Sequence, residues 1–187
     1  ADGTVMWFSS ARGRAARYLL DSASVQNPAD SRMELRAYAL SGLAMLSRRL
    51  PRDDESLERD LCSKALDILS ERSGPPENTL AMRLLHELFD GRPTILSRER
   101  ALRSRIEAEV LAPLERDLDA LYYDGRRGGE YRYHLMKVLL LSSPFIGESA
   151  SSRTRAAQVF ERMELMEPDP NLKTLARLYA RHLRSLD

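Results

Sequence analysis

Apolar residues recur at helical spacing through most of the chain from about residue 31 onward. In the first such segment Leu35, Ala39 and Leu43 fall on one side of a helix, and the later segments repeat this pattern. Five predicted helices lie at about residues 31–50, 54–72, 97–122, 130–141 and 151–166. A further helix carries Leu80, Leu84 and Leu88, and a last one, after Asp169, holds Leu172, Leu175, Tyr179, Leu183 and Leu186. No strand pattern interrupts them. The sequence therefore predicts an all-α fold, an antiparallel array of about seven helices joined by short loops.

Local signals mark the ends of several of these helices. Ser31 and Glu34 have the spacing of a capping box, which satisfies free amides at a helix start. Asp169 followed by Pro170 predicts an N-cap and a first-turn proline for the last helix. Pro113 lies inside the pattern of the fourth helix, where a proline removes a hydrogen bond and clashes with the preceding turn. We expect that helix to kink or to break in two.

The first 30 residues follow a different pattern. The stretch GTVMWFSSARGR resembles the opening strand of a cold-shock domain, in which an exposed tryptophan and phenylalanine stack on bases. The second aromatic strand of such a domain is missing, and ARGRAARYLLDSAS has a helical pattern instead. We therefore expect Trp7 and Phe8 to pack on the helices, with RNA binding as a further hypothesis. The predicted organisation is a partly ordered N-terminal segment, 1–30, and a helical domain, 31–187.

Composition and charge narrow the class of protein. The chain has 187 residues, of which 43% are hydrophobic and 30% charged, as in a globular domain. The net charge of +1 gives no overall attraction to nucleic acid or to acidic membranes. The single cysteine, Cys62, rules out a disulfide within the chain and fits a reducing compartment. No apolar run approaches the ~20 residues of a membrane-spanning helix. We expect a soluble, cytoplasmic protein.

No pattern of catalytic or metal-binding residues occurs in the sequence. There is no Walker-type loop, no nucleophile elbow and no metal-ligand spacing. His86, His134 and His182 lie far apart, and none has a second histidine or a cysteine at ligand spacing. We therefore expect no catalytic residue, no metal and no cofactor, and a binding function rather than an enzymatic one.

A longer resemblance begins in the second half of the chain. The stretch LYYDGRRGGEYRYHLMKV (121–138) resembles the junction of the fourth and fifth helices of 14-3-3 proteins. An aromatic pair, a basic joint with glycine and a Tyr-Arg-Tyr triplet follow one another there in the same order. Three other segments resemble helices of that family in matching order: SGLAMLSRRL, RIEAEVLAPLERDL and AAQVFERMELMEPDPNLKTLA. The resemblance covers about residues 31–187.

The resemblance implies a phosphate-binding role for Arg132 and Tyr133. In 14-3-3 proteins the arginine and tyrosine of this triplet hold a phosphoserine or phosphothreonine, with cations from the third helix. Arg83 lies near the family's lysine, and Arg92 is the one residue available at its double-arginine position. A guanidinium can bond two phosphate oxygens in parallel, and a phenol adds a further donor. The resemblance thus implies an adaptor that binds phosphorylated or acidic peptides in a concave groove, and a homodimer formed through the first helices.

The sequence departs from the family at several positions of the expected groove. The asparagine that holds the peptide backbone is replaced by Leu178, and the acidic residue before the triplet by Gly129. The segments correspond to seven of the family's nine helices. A helical-repeat scaffold of the tetratricopeptide type, without phosphate specificity, is therefore the alternative. The 14-3-3-like domains joined to such repeats in RNA-decay factors would be an intermediate case.

Overall fold

The computed structural model describes residues 2–24, 31–47, 55–71, 75–92, 94–123, 128–145 and 150–186. Over these ranges the backbone forms helices separated by short turns and contains no strand, which confirms the all-α class. The chain divides into two compact units, Ala1–Ile95 and Leu96–Asp187.

In its described ranges the first unit contains four long helices. They are α1 (Asp2–Ser24), α2 (Ser31–Ser47), α3 (Glu55–Ser70) and α4 (Pro75–Gly91). Helix α1 packs against α2 and α3, and α4 packs against α2 and α3. Most of the apolar side chains that the periodicity placed on one side of each helix are buried: Ala39, Leu43, Leu57, Leu61, Ala65, Ile68, Leu84 and Leu88. Their burial supplies the main stabilisation of this unit.

The N-terminal segment is helical throughout its described length. The strand implied by the cold-shock resemblance is wrong, because residues 3–14 lie inside α1. A lone strand would leave its N–H and C=O groups unpaired, whereas a helix pairs them locally. The side chains of Trp7 and Phe8 lie outside the described residues. Helix α1 belongs to the first unit, although the sequence placed a domain boundary at residue 30.

Helices α1 and α2 approach closely at Gly42. A Cβ atom at this position would lie 3.0 Å from Leu19 Cδ1, so the missing side chain allows the contact. Helix α2 begins at Ser31 as predicted, but the side chains of Ser31 and Glu34 lie outside the described residues. The predicted end of this helix near Pro51 also lies outside them.

The second unit contains shorter helices followed by three long ones. They are α5 (Thr94–Arg98), which begins in the last residues of the first unit, α6 (Arg100–Ile106), α7 (Ala112–Arg116), α8 (Asp119–Tyr123), α9 (Gly129–Ser142), α10 (Ala150–Met166) and α11 (Pro170–Arg184). Helices α10 and α11 pack closely, and the rings of Phe160 and Tyr179 meet edge to face with their centroids 5.5 Å apart. The core of this pair also includes Met163, Ala176 and Leu183.

The interruption predicted for the fourth helix, over 97–122, is present, but the backbone breaks lie at Glu99 and Asp117 and not at Pro113 itself. The backbone leaves the helical conformation at Glu99 and at Asp117, and a π-helical turn spans Glu107–Leu111. In that turn the Ala112 N–H donates to the Glu107 carbonyl, five residues back. This wider turn comes just before Pro113, where the proline ring would collide with the carbonyls of a regular α-helix. The proline is thus accommodated, and the break follows one turn later.

The predicted start of the last helix is confirmed. The Asp169 side chain accepts hydrogen bonds from the N–H groups of Asn171, at 2.8 Å, and Leu172, at 3.3 Å. Pro170 occupies the first turn of α11, where its missing N–H costs nothing. The cap fixes the turn between α10 and α11 and thereby the position of Glu167, just before it in the chain.

Candidate functional site

Arg132, the arginine of the Tyr-Arg-Tyr triplet, lies in the first turn of α9 and forms a two-bond ion pair with Glu167. Its Nε lies 2.9 Å from Glu167 Oε2, and its Nη2 lies 2.9 Å from Oε1. The Glu167 side chain is 0% exposed and the Arg132 side chain 12% exposed. Glu167 Oε1 also accepts a hydrogen bond from the Asp169 N–H at 3.1 Å. The carboxylate is therefore held by a guanidinium and a backbone donor.

Tyr122 of α8 covers this ion pair. The Arg132 guanidinium carbon lies 5.3 Å from the centroid of the Tyr122 ring, within range of a cation–π interaction. Burial raises the pKa of the Tyr122 hydroxyl far above its usual value, and the negative charge of Glu167 raises it further. Both effects disfavour a second negative charge beside the carboxylate. The phenol therefore stays neutral, and the cluster keeps one anion and one cation.

Tyr133, the second predicted phosphate-binding residue, lies beside a cation that the sequence analysis missed. The Lys137 ammonium, one turn later on α9, lies 5.8 Å from the centroid of the Tyr133 ring. It also lies 5.4 Å from the centroid of the Tyr179 ring on α11. The Tyr179 hydroxyl is buried and has no hydrogen-bond partner in the described part of the chain. The spacing of Tyr133 and Lys137, four residues apart, was visible in the sequence as one helix face.

Arg83 and Arg92, the other two predicted phosphate-binding residues, belong to the first unit. Arg83 is half-buried on α4. Arg92, just after α4, forms an ion pair with Glu58 of α3, and both side chains are less than a tenth exposed. Arg132 and Tyr133 therefore lie on α9 of the second unit. Arg83 lies on α4 of the first unit, and Arg92 lies just after that helix. Leu178, at the position of the family's asparagine, is 53% exposed on α11.

A second group of arginines was not predicted as a site. The stretch RERALRSR places Arg98, Arg100, Arg103 and Arg105 on or beside the short helices α5 and α6. Arg100 and Arg103 line a polar cavity in the second unit. The four arginines within eight residues could have indicated an anion site from the sequence alone. The resemblance to 14-3-3 proteins indicated the Tyr-Arg-Tyr triplet instead.

Comparisons with models of known protein families, with curated proteins and with solved structures found no significant match. The resemblance to 14-3-3 proteins therefore rests on the sequence motifs alone. No described helix combines the length and hydropathy needed to cross a bilayer. Among the described residues, no group of three or more histidine, cysteine or acidic side chains is placed to hold a metal ion.

Proposed function

We propose that this chain is an α-helical protein-interaction scaffold that self-associates through α1 and α2. The observation that carries the proposal is the exposure of three large side chains on these helices. Tyr18 is 72%, Tyr38 74% and Met45 70% exposed. Large apolar side chains grouped on a surface are typical of protein–protein contacts, whereas single scattered ones are not.

The three side chains lie on two helices of the first unit, α1 and α2, that pack against each other. Tyr38 and Met45 are seven residues apart on α2, and therefore project from the same side of that helix. Gly42, where Leu19 of α1 makes its close approach, lies between them along the helix. On α1, Tyr18 precedes Leu19 in the chain and is itself exposed. A second copy of the chain is the occupant we assign, because SGLAMLSRRL resembles the helix that carries part of the 14-3-3 dimer interface.

Replacing Tyr38 and Met45 together with serine is expected to convert a dimer into a monomer, because the variant removes the two large apolar side chains that are exposed among the described residues of α2. Light scattering over a concentration series measures the mass. The matched control is Leu165→Ser, which removes an 81% exposed leucine from α10 of the second unit and should leave the dimer intact. A monomer mass for the unchanged chain at every concentration would contradict self-association.

The ion pair of Arg132 supports a scaffold without phosphate specificity at the triplet. One edge of its guanidinium is already bonded to the buried carboxylate of Glu167. A phosphate carries close to two negative charges at pH 7 and would be repelled by that carboxylate at close range. Phosphate binding there would require Arg132 to exchange an internal partner for an external one.

The second candidate function is a phosphopeptide-binding adaptor, and it is favoured by Lys137. This cation lies next to Tyr133 on the helix that carries Arg132, so two positive charges accompany the tyrosine. If the adaptor proposal holds, phosphorylated peptides bind at least about tenfold more tightly than their unphosphorylated twins, and Lys137→Met removes that preference. Titration of matched peptides measures the difference. Equal affinity for both peptide forms excludes the adaptor and leaves the scaffold.

A further inference from the structure

A polar cavity of about 430 Å³ lies in the second unit between α6 and the turn that follows α9. Its wall includes Arg100, Arg103, Ser104 and Glu107 on one side and Pro144 and Phe145 on the other. The turn is fixed by a hydrogen bond of 2.8 Å from the Phe145 N–H to the Ser142 carbonyl. None of these residues belongs to the Arg132 cluster, so the cavity is a separate feature of the unit.

The two arginines give the cavity a net positive charge. Arg103 is oriented by its Nη1, which donates to the carbonyls of Leu96 and Ser97 at 3.2 Å each. Neither Arg100 nor Arg103 forms an ion pair with a described residue. This distinguishes them from Arg92 and Arg132, whose guanidinium groups are paired with buried carboxylates.

Glu107, the carboxylate in the cavity wall, forms an ion pair with Arg155 of α10, which also pairs with Glu115. Arg155 Nη1 lies 2.5 Å from Glu107 Oε1, while its Nε and Nη2 bind Glu115 at 2.7 and 2.6 Å. These hydrogen bonds raise the pKa of Arg155, so its charge persists over the whole accessible pH range. Because Arg155 is shared by two carboxylates, Glu107 keeps part of its negative charge, and the cavity owes its net positive charge to Arg100 and Arg103.

We propose that this cavity binds an organic phosphate monoester. Two guanidinium groups supply the charge needed to hold a phosphate dianion, and the Ser104 hydroxyl supplies a neutral donor. The volume is within the range of small-molecule sites, roughly 300–1,000 Å³, and exceeds what a bare phosphate ion fills. Phe145 and Pro144 form an apolar wall for the organic group carried by the ester. Arginine in preference to lysine suits this task, because its planar fork matches two phosphate oxygens.

Calorimetric titration of the full chain with phenyl phosphate tests the site. Arg100→Gln is the decisive variant, because Arg100 is exposed and its loss leaves the hydrogen bonds of Arg103 in place. We expect this change to raise the Kd for phenyl phosphate at least about tenfold. Phe145→Ala should weaken phenyl phosphate and leave the affinity for inorganic phosphate unchanged.

Arg116→Gln is the matched control. It removes an exposed arginine from α7, outside the cavity wall, and should leave the Kd unchanged. The proposal is overturned if the unchanged chain shows no binding of phenyl phosphate at millimolar concentration. It is also overturned if Arg100→Gln and Arg116→Gln have equal effects, which would mark a general response to charge.

A titration with a phosphoserine peptide distinguishes a phosphorylated protein segment from a small molecule as the source of the phosphate ester. A phosphoserine peptide that binds more tightly than phenyl phosphate, with the same loss in Arg100→Gln, identifies a phosphorylated protein segment as the ligand. Weaker binding of the peptide identifies a small molecule. Either result supports the cavity as a phosphate ester site, and neither depends on self-association through α1 and α2.

Discussion

Replacing Glu167 with alanine is expected to lower the free energy of unfolding of the second unit by about 3–5 kcal/mol. The loss is large because the change leaves the Arg132 guanidinium, only 12% exposed, without its counter-ion. It also removes the acceptor of the N–H of Asp169, the N-cap residue of α11. A chain with two compact units need not unfold in one step, so hydrogen exchange of the amides of α9 and α10 is the appropriate measurement.

A double-mutant cycle separates the interaction from the cost of an unpaired charge. Arg132→Met leaves the buried carboxylate alone and should cost a similar amount. The double variant Arg132→Met with Glu167→Met removes both charges, and we expect it to be more stable than either single variant. The control pair is Arg184 and Glu161, which are 42% and 47% exposed and should contribute less than about 1 kcal/mol. If Glu167→Ala costs no more than Glu161→Ala, the ion pair has no structural role.

The parts of the fold that follow from neighbouring residues were predictable. Asp169 and Pro170 fix the start of α11 through backbone groups two and three residues away, so the sequence contained the whole signal. The apolar stripes of α3 and α4 were readable for the same reason, because one helix face is defined by spacing alone. The backbone course of residues 97–122 could not be predicted in the same way. The sequence does not distinguish a simple kink from the π turn before Pro113 and the helix break at Asp117.

The charge partners of the candidate site could not be predicted. The triplet identified Arg132 as a notable cation, but its carboxylate partner lies 35 residues later in the chain. The partner of Arg92 lies 34 residues earlier, on another helix. Such pairs depend on how helices pack, and the pattern of one helix says nothing about which residue of another faces it. A resemblance in the arginine positions therefore predicts where cations lie but not whether they are available to a ligand.

The ion pairs of Arg92 with Glu58 and of Arg132 with Glu167 weigh against the phosphate hypothesis in the same way. Each of these arginine side chains is less than one eighth exposed, and the carboxylate that it contacts is nearly or fully buried. A phosphate from solution must therefore compete with a carboxylate of the same chain, which loses no translational or rotational entropy of association when it forms the pair. Arg100 and Arg103 form no ion pair with a described residue, although Glu107 lines the same cavity, and this difference makes the cavity beside α6 the better candidate for an anion site.

Replacing Glu58 with alanine is expected to destabilise the first unit by about 3–5 kcal/mol, because Arg92 then remains buried without its counter-ion. Glu58→Gln should cost less, since the amide oxygen still accepts a hydrogen bond from the guanidinium. The control is Asp60→Ala, which removes an exposed carboxylate from the same helix. Hydrogen exchange of the amides of α3 and α4 measures the effect, and equal losses for Glu58→Ala and Asp60→Ala would contradict it.

The glutamine variant also tests the predicted phosphate-binding role of Arg92. If Arg92 binds a phosphopeptide, the Glu58 carboxylate competes for the same guanidinium, and removing its charge should tighten peptide binding by about tenfold or more. If Arg92 is a structural partner of Glu58, the same variant lowers stability and leaves peptide affinity unchanged. We expect the second result, because Arg92 lies nine-tenths buried beside a carboxylate that α3 already holds in place.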